Sequence, residues 1–231
     1  MGDAPRIIVE KDPEALLLAV RAELERGLVP GERICLPTGR TPEPLYSRIV
    51  ADPDARGLWC HLQFQQLDEY IDPPDGVETF AATLARQLFD PLGIPQGARG
   101  AIISPEHPGE GARLDAIHRS APLAACLLGL GGNGHIAFNE PGDTTPGYHR
   151  VRLAEETTID NFGAAREQKA LTIGVDQILS ARRVLLWVPQ PGKQDLLDRV
   201  LEGTIDPALP ATALRRHPDL TVFRTPPAES R

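Results

Sequence analysis

Residues 34–50 read ICLPTGRTPEPLYSRIV. The apolar run Arg33–Leu36 stops at a proline, PTGR turns the chain, and a helical pattern starts near Thr41 or Pro42. Proline suits a first helical turn, where the N–H it lacks would have no intrahelical partner, and Thr41 precedes it as a candidate N-cap. A strand that passes directly into a helix is the first half of a βαβ unit. Its corner offers backbone N–H groups and a helix N-terminus at the carboxyl edge of a sheet, where anions bind.

The same alternation extends in both directions. Further strands are expected at Arg6–Val9, Leu62–Leu67, Ala101–Ile103, Ala124–Leu130, Arg183–Val188 and Leu220–Phe223. Helices are expected at Pro13–Arg26, with Asp12 as N-cap, and at Pro42–Val50, Thr79–Phe89, Gly111–Arg119, Gly163–Leu179 and Lys193–Leu201. Strands alternating with helices predict a mostly parallel sheet in an α/β fold. The Pro- and Gly-rich connections 71–76, 104–111 and 141–149 are too brief for linkers, so 1–231 is expected to be a single domain.

Composition narrows the class. With 231 residues and 41% apolar content, the chain can fill a full core. A net charge of −8 without a basic block argues against nucleic acid as partner, because a phosphate backbone needs clustered Lys and Arg. A small anionic ligand needs only a local positive pocket. No stretch approaches the ~20 apolar residues of a membrane span. The opening MGDAPRIIVE has no long apolar leader, so a cytoplasmic protein is expected. Cys35, Cys60 and Cys126 are odd in number and lack CxxC spacing, which predicts free thiols. His107, His118, His135 and His149 show no HExxH-like spacing, so no metal site is expected.

Four stretches could carry chemistry, each just past a predicted strand. In PTGRT, Gly39 permits close backbone approach and the Thr38 and Thr41 hydroxyls can donate to phosphate oxygens. In FQQLDEYIDPP, residues 64–74, Asp68 and Glu69 immediately follow a predicted buried strand. A carboxylate there can move a proton on a carbon next to a carbonyl, although adjacent residues face different ways. In LLGLGGNGHIAFNEPGD, residues 127–143, glycines let a ligand lie against the backbone while His135 and Glu140 supply acid–base groups. In PQPGKQDLL, residues 189–197, Lys193 opposes the dipole of the helix it begins, and a phosphate in front of that helix would explain it. Taken singly, each is also an ordinary turn with a capped helix, a solvated charge or a structural histidine.

Together LPTGRTP, LDEY, GLGGNGHIAFNEP, ALTIGV and GKQ resemble the glucosamine-6-phosphate deaminase family, within the larger group that includes the 6-phosphogluconolactonases. The resemblance runs from about Ile34 to His217. It implies a Rossmann-like three-layer αβα fold without a nucleotide. It also implies a hexosamine 6-phosphate substrate that is ring-opened, isomerised from aldose to ketose and stripped of its amine as ammonia. Asp68 would shuttle a proton between C2 and C1. His135 would assist ring opening with Glu140 beside it, and Thr38, Gly39, Thr41 and Lys193 would hold the phosphate. Arg40 replaces a small residue usual in the phosphate loop, either adding a contact or pointing to solvent. Glu69 and Gly134 are counted with the substrate-binding set. No cofactor or metal is needed, and self-association into a homo-oligomer is compatible with this reading.

Asn133 stands where glucosamine-type members usually carry aspartate; it can orient His135 but cannot stabilise an imidazolium by charge. The asparagine version is also similar to a galactosamine-6-phosphate branch. An arginine often supplied after the FNEP loop has no clear counterpart; Arg150, Arg152 and Arg166 are the candidates. Two alternatives remain open. One is a lactonase using His135 and water on an ester carbonyl. The other is a non-catalytic sugar-phosphate sensor.

Overall fold

Strands that are apolar on both faces must be covered on both faces. Strands β6 (Leu123–Leu128, LAACLL) and β9 (Val184–Val188, VLLWV) are of this kind and are buried at every position. In the computed structural model, which describes residues 4–227, they occupy the centre of a seven-stranded sheet. The other members are β1 (Arg6–Val9), β2 (Arg33–Leu36), β3 (Gln63–Gln66), β5 (Gly100–Ala101) and β10 (Leu220–Arg224). The order is β1-β10-β9-β6-β2-β3-β5, with every pair parallel.

The two-residue period of the strands divides their side chains between two cores. Ile34, Leu36, Leu127, Leu185, Trp187 and Phe223 pack on one side. There they meet helices α1 (Pro13–Glu25), α2 (Glu43–Ala51) and α3 (Pro53–Trp59), and the helical segment formed by α4 (Phe80–Leu84), a wide π turn (Ala85–Phe89) and α5 (Asp90–Leu92). Cys35, Cys126, Leu128, Val184, Leu186 and Val222 face the other side. They pack against α6 (Glu110–Ser120), α8 (Val175–Leu179), α9 (Gln194–Glu202) and the 3-10 turn Pro210–Arg216. Helices on both faces of a parallel sheet make the Rossmann-like αβα sandwich. Cys35 and Cys126 are free and buried, and Cys60 is half-buried.

Capping follows the sequence at α1, where the Asp12 carboxylate accepts the Glu14 N–H at 3.1 Å. At α2 it does not. Pro42 takes the N-cap position, and the Thr41 hydroxyl accepts a hydrogen bond from Gln190 Nε2 at 2.7 Å instead.

Helix α3 has no counterpart in the expected pattern, and two further segments depart from it. The main-sheet strand ends at Gln66, and after Leu67 the chain opens a new strand, β4 (Asp68–Ile71), in a second sheet. That sheet is antiparallel, ordered β4-β8-β7, with β7 at His149–Arg152 and β8 at Lys169–Thr172. The expected helix 163–179 is therefore replaced by β8 and the short α8, and an unforeseen helix α7 (Glu155–Phe162) precedes them. β7 and β8 span only four residues each and carry outward Arg and Lys, too little for a period-two signal to stand out. Tyr70, Phe138, Leu153 and Ala170 form the small core under this sheet.

Candidate active site

From β2 the main sheet grows outward to β3 and β5; from β6 it grows the opposite way, to β9 and β10. The loops leaving the carboxyl ends of β2 and β6 diverge there, and the gap between them is the crevice where parallel sheets bind ligands. In this chain it is a cavity of about 910 Å³. Thr38, Gly39, Arg40, Thr41, Asp68, His135 and Lys193 border it, whereas Glu69, Asn133, Gly134 and Glu140 do not.

Asp68 reaches the cavity because β4 leaves the main sheet. It pairs with Thr172 on β8. Thr172 Oγ1 accepts the Phe138 N–H at 3.0 Å, so the turn that follows His135 is tied to the residue opposite Asp68. That link puts a carboxylate and an imidazole, far apart in sequence, on walls of one cavity. Burial, and then the charge of Glu69, raise the Asp68 pKa to about 8, with no hydrogen bond acting against them. A carboxylate stripped of water and of donors is a stronger base than one in solution.

The glycine-rich turn fixes His135. Gly131 N–H donates to His135 O at 2.9 Å, and Gly134 N–H donates to Gly131 O at 3.1 Å. A side chain at Gly131 would overlap the imidazole, so glycine there lets the ring lie flat against the backbone. Thr157 Oγ1 stands 3.3 Å and Glu140 Oε2 3.7 Å from His135 Nδ1. Burial pushes the Glu140 carboxyl up, but the imidazole beside it and the donors on Thr157 and Asn133 hold it below its ordinary value. Asn133 touches neither ring nitrogen. Its Oδ1 accepts the His135 backbone N–H at 3.1 Å, and its Nδ2 donates to Glu140 Oε2 at 2.8 Å. Asparagine thus braces the histidine through the main chain and the glutamate, an arrangement that aspartate could not copy without setting two carboxylates against each other.

Asn139 closes the next turn, donating from Nδ2 to Ile136 O at 2.9 Å and Ile173 O at 2.8 Å. These bonds hold Ala137, on the cavity wall, at a left-handed φ of 47°. Such strain in a residue with a Cβ persists only where its surroundings enforce it.

At the opposite end lie the 38–41 loop and Lys193. Lys193 ends a 3-10 turn, Pro191–Lys193, just before α9, and its Nζ donates to Leu130 O at 2.5 Å. Burial lowers its pKa, with Asp160 acting in the other direction. The Gln190–Thr41 hydrogen bond joins this turn to the loop after β2.

Residues 14–222 match the model of the glucosamine-6-phosphate isomerases/6-phosphogluconolactonase family. The chain belongs to this family. A glucosamine-6-phosphate deaminase of Hahella chejuensis is 32% identical over 94% of this chain and 88% of its own length. Another, from Lactobacillus acidophilus, is 34% identical over 86% and 85%. Among solved structures, a monomeric glucosamine-6-phosphate deaminase superposes with a TM-score of 0.84 at 28% identity, covering 95% of this chain and 97% of the other. The 6-phosphogluconolactonase of Thermotoga maritima shares the fold, with a TM-score of 0.74 at 19% identity over 96% and 99%.

Two of the residues expected at the substrate face elsewhere in this family member. Glu69 is 1% exposed, and its carboxylate accepts the N–H groups of Tyr70, Phe80 and Ala81 and the Gln66 amide at 2.8–3.1 Å. It caps α4 and holds β4, which leaves it no free lone pair for a sugar. Gly134 has φ +86°, and a side chain there would strike Leu209; it shapes the turn from behind. The three arginines considered for the cavity are also absent from its walls. Arg150 donates to Pro105 O, Arg152 is exposed on β7, and Arg166 lies over the Phe162 ring.

Other cavity walls went unseen in the sequence. One is the α4 segment, with Phe80, Thr83, Arg86 and Gln87; the other is the end of α7, with Asp160, Asn161 and Phe162. Phe80, Thr83 and Gln87 stand three and four residues apart, the one sequence signal that they share a helix face. No comparable signal marks α7.

Proposed function

We propose that the chain converts a hexosamine 6-phosphate and water to the ketose 6-phosphate and ammonia. The observation that carries this reading is the Asp68 carboxylate, without donors and with its pKa raised to about 8, on the wall of the cavity that also holds His135. Proton transfer at carbon calls for such a base, held by the protein within reach of the C–H bond.

In this reading the phosphoryl group lies against the 38–41 loop and Lys193, which directs the sugar ring toward His135. The imidazole moves a proton between the anomeric hydroxyl and the ring oxygen, opening the ring to an aldehyde. Glu140, braced by Asn133, steadies the charge that passes through the ring. Ionised Asp68 then takes the proton from C2, leaving an enolamine, and returns it to C1. The resulting C2 imine adds water and expels ammonia, leaving the ketose. Atoms balance, and no redox change occurs overall.

The experiment measures ammonia and ketose 6-phosphate released from glucosamine 6-phosphate and galactosamine 6-phosphate in parallel. Asn133 is the reason to include both C4 epimers. Release from at least one is expected. Hydrolysis of 6-phosphogluconolactone with no ammonia from either amino sugar would overturn the proposal in favour of the lactonase reading. Binding of both sugars without turnover would favour the sensor.

A further inference from the structure

We propose that Arg86 and Gln87 complete the anion end of the cavity, with Arg86 pairing its guanidinium with the substrate's phosphoryl group and Gln87 hydrogen-bonding an adjacent sugar oxygen. The identity of the substrate rests on the hexosamine 6-phosphate reading above; the anion site itself does not.

The backbone brings these two side chains to the cavity from a helix without a phosphate-binding motif. The helix that starts at Phe80 widens into a π turn at Ala85–Phe89, a device that recurs at functional sites. Leu88 and Phe89 are buried in the main core, while Arg86 and Gln87 border the cavity together with Thr38, Arg40 and Lys193. The π turn packs against α2, whose first residue, Glu43, borders the same cavity as Arg86, which sets this segment beside the loop–helix corner after β2.

Both side chains are free to change partners. The Arg86 guanidinium forks onto Glu78 at 2.7 and 2.9 Å, but the two side chains are 58% and 41% exposed. Water screens such a pair, and a phosphoryl dianion offers the same planar fork a stronger partner. Glu78 would not be stranded, because Thr83 Oγ1 donates to it at 3.0 Å. Gln87 Oε1 is buried without a hydrogen-bond partner among the described residues. A buried amide oxygen without a donor, on the wall of a polar cavity, is a group that a ligand hydroxyl or a water must satisfy. Lys193 is already tied to Leu130 O, and with Arg40 and Arg86 on the same walls a phosphoryl dianion can take more than one cationic partner.

The test compares inorganic phosphate binding, by titration calorimetry, with steady-state kinetics on hexosamine 6-phosphate. The proteins are the wild type, Arg86→Ala, Arg86→Lys, Gln87→Leu and, as a control, Arg48→Ala. Arg48 is an exposed arginine of α2 that pairs with Glu14 and does not border the cavity. Arg86→Ala should weaken phosphate binding and raise KM about 10- to 100-fold, as loss of a charged hydrogen-bond pair does, with kcat within about threefold. Arg86→Lys should recover part of both. Gln87→Leu should raise KM and leave inorganic phosphate binding unchanged, and Arg48→Ala should alter neither. Phosphate binding and KM within twofold of wild type in Arg86→Ala would overturn the proposal, as would a wild-type protein that binds no phosphate. Wild-type phosphate binding that depends on Arg86, without ammonia release, would sustain the anion site and refute the deaminase reading.

Discussion

At the scale of single residues, Asp68 is a base held at some expense to the fold. Its native pKa of about 8 lies above the ordinary 3.8, so the folded protein binds a proton there that the unfolded chain has released. Stability from this residue therefore falls as pH rises from about 4 to about 8 and is level above that. A carboxyl raised from 3.8 to about 8 sets an upper limit on the order of 5 kcal/mol to this cost. Asp68→Asn should lower kcat by about 10²- to 10⁴-fold. It should also raise the melting temperature at pH 8 more than at pH 5; equal shifts at both would contradict the buried-base account. In the wild type, kcat/KM should climb with pH and level off above about 8, since only the ionised carboxylate can take the C2 proton. A flat profile from pH 6 to 8 would remove Asp68 from that role. Glu140 has the opposite sign: its lowered pKa adds stability above the ordinary 4.5 that is lost in acid. Asn133→Asp takes away a donor at 2.8 Å from this buried carboxylate and should destabilise the protein at pH 7 by about 1–3 kcal/mol in urea unfolding.

At the scale of elements, the glycine turn and β4 separate catalytic from supporting roles. Gly131→Ala would force the imidazole off its place, and a displacement of this kind costs on the order of 10² in kcat/KM. Circular dichroism should report an unchanged fold, and unaltered kinetics would show that the ring has room to spare. Glu69→Gln behaves differently. It weakens the cap on α4 and should reduce stability by about 1–3 kcal/mol; because it also removes the charge that adds to the raised Asp68 pKa, it should move the kcat/KM profile to lower pH while leaving the plateau nearly unchanged. The elements of the main sheet and most of its helices were legible, because two-sided apolar strands and proline-marked helix starts are local signals. The second sheet was not. Its strands are short, β7 carries exposed arginines, and β8 pairs with β4 about a hundred residues away, so β8 is a strand through contact with β4 on one edge and β7 on the other.

At the scale of the molecule, a sugar phosphate that bridges the 38–41 loop, β4 and the 131–135 turn should stiffen the whole fold. At a hundred times Kd, a ligand that binds only the native state adds about 2.7 kcal/mol. For a chain of this size that is a rise in Tm of roughly 5–10 °C. Asp68→Asn with hexosamine 6-phosphate allows the measurement without turnover, and no shift at saturating sugar would mean that the walls do not act on one ligand.

The alternation of strands and helices, the strand-end positions of Asp68 and His135, and the phosphate-loop corner are written in short stretches of sequence, because local period and backbone freedom determine them. Tertiary structure alone decided which of these groups share a cavity. Glu69 is spent on capping α4, Gly134 on clearing Leu209, and Asn133 on bracing a backbone N–H and Glu140, while Arg86 and Gln87 arrive on a helix that carried no motif. The direction of a side chain depends on which distant strand its own strand pairs with, and for β4 that choice is made by Thr172 and its neighbours, about a hundred residues away in the chain.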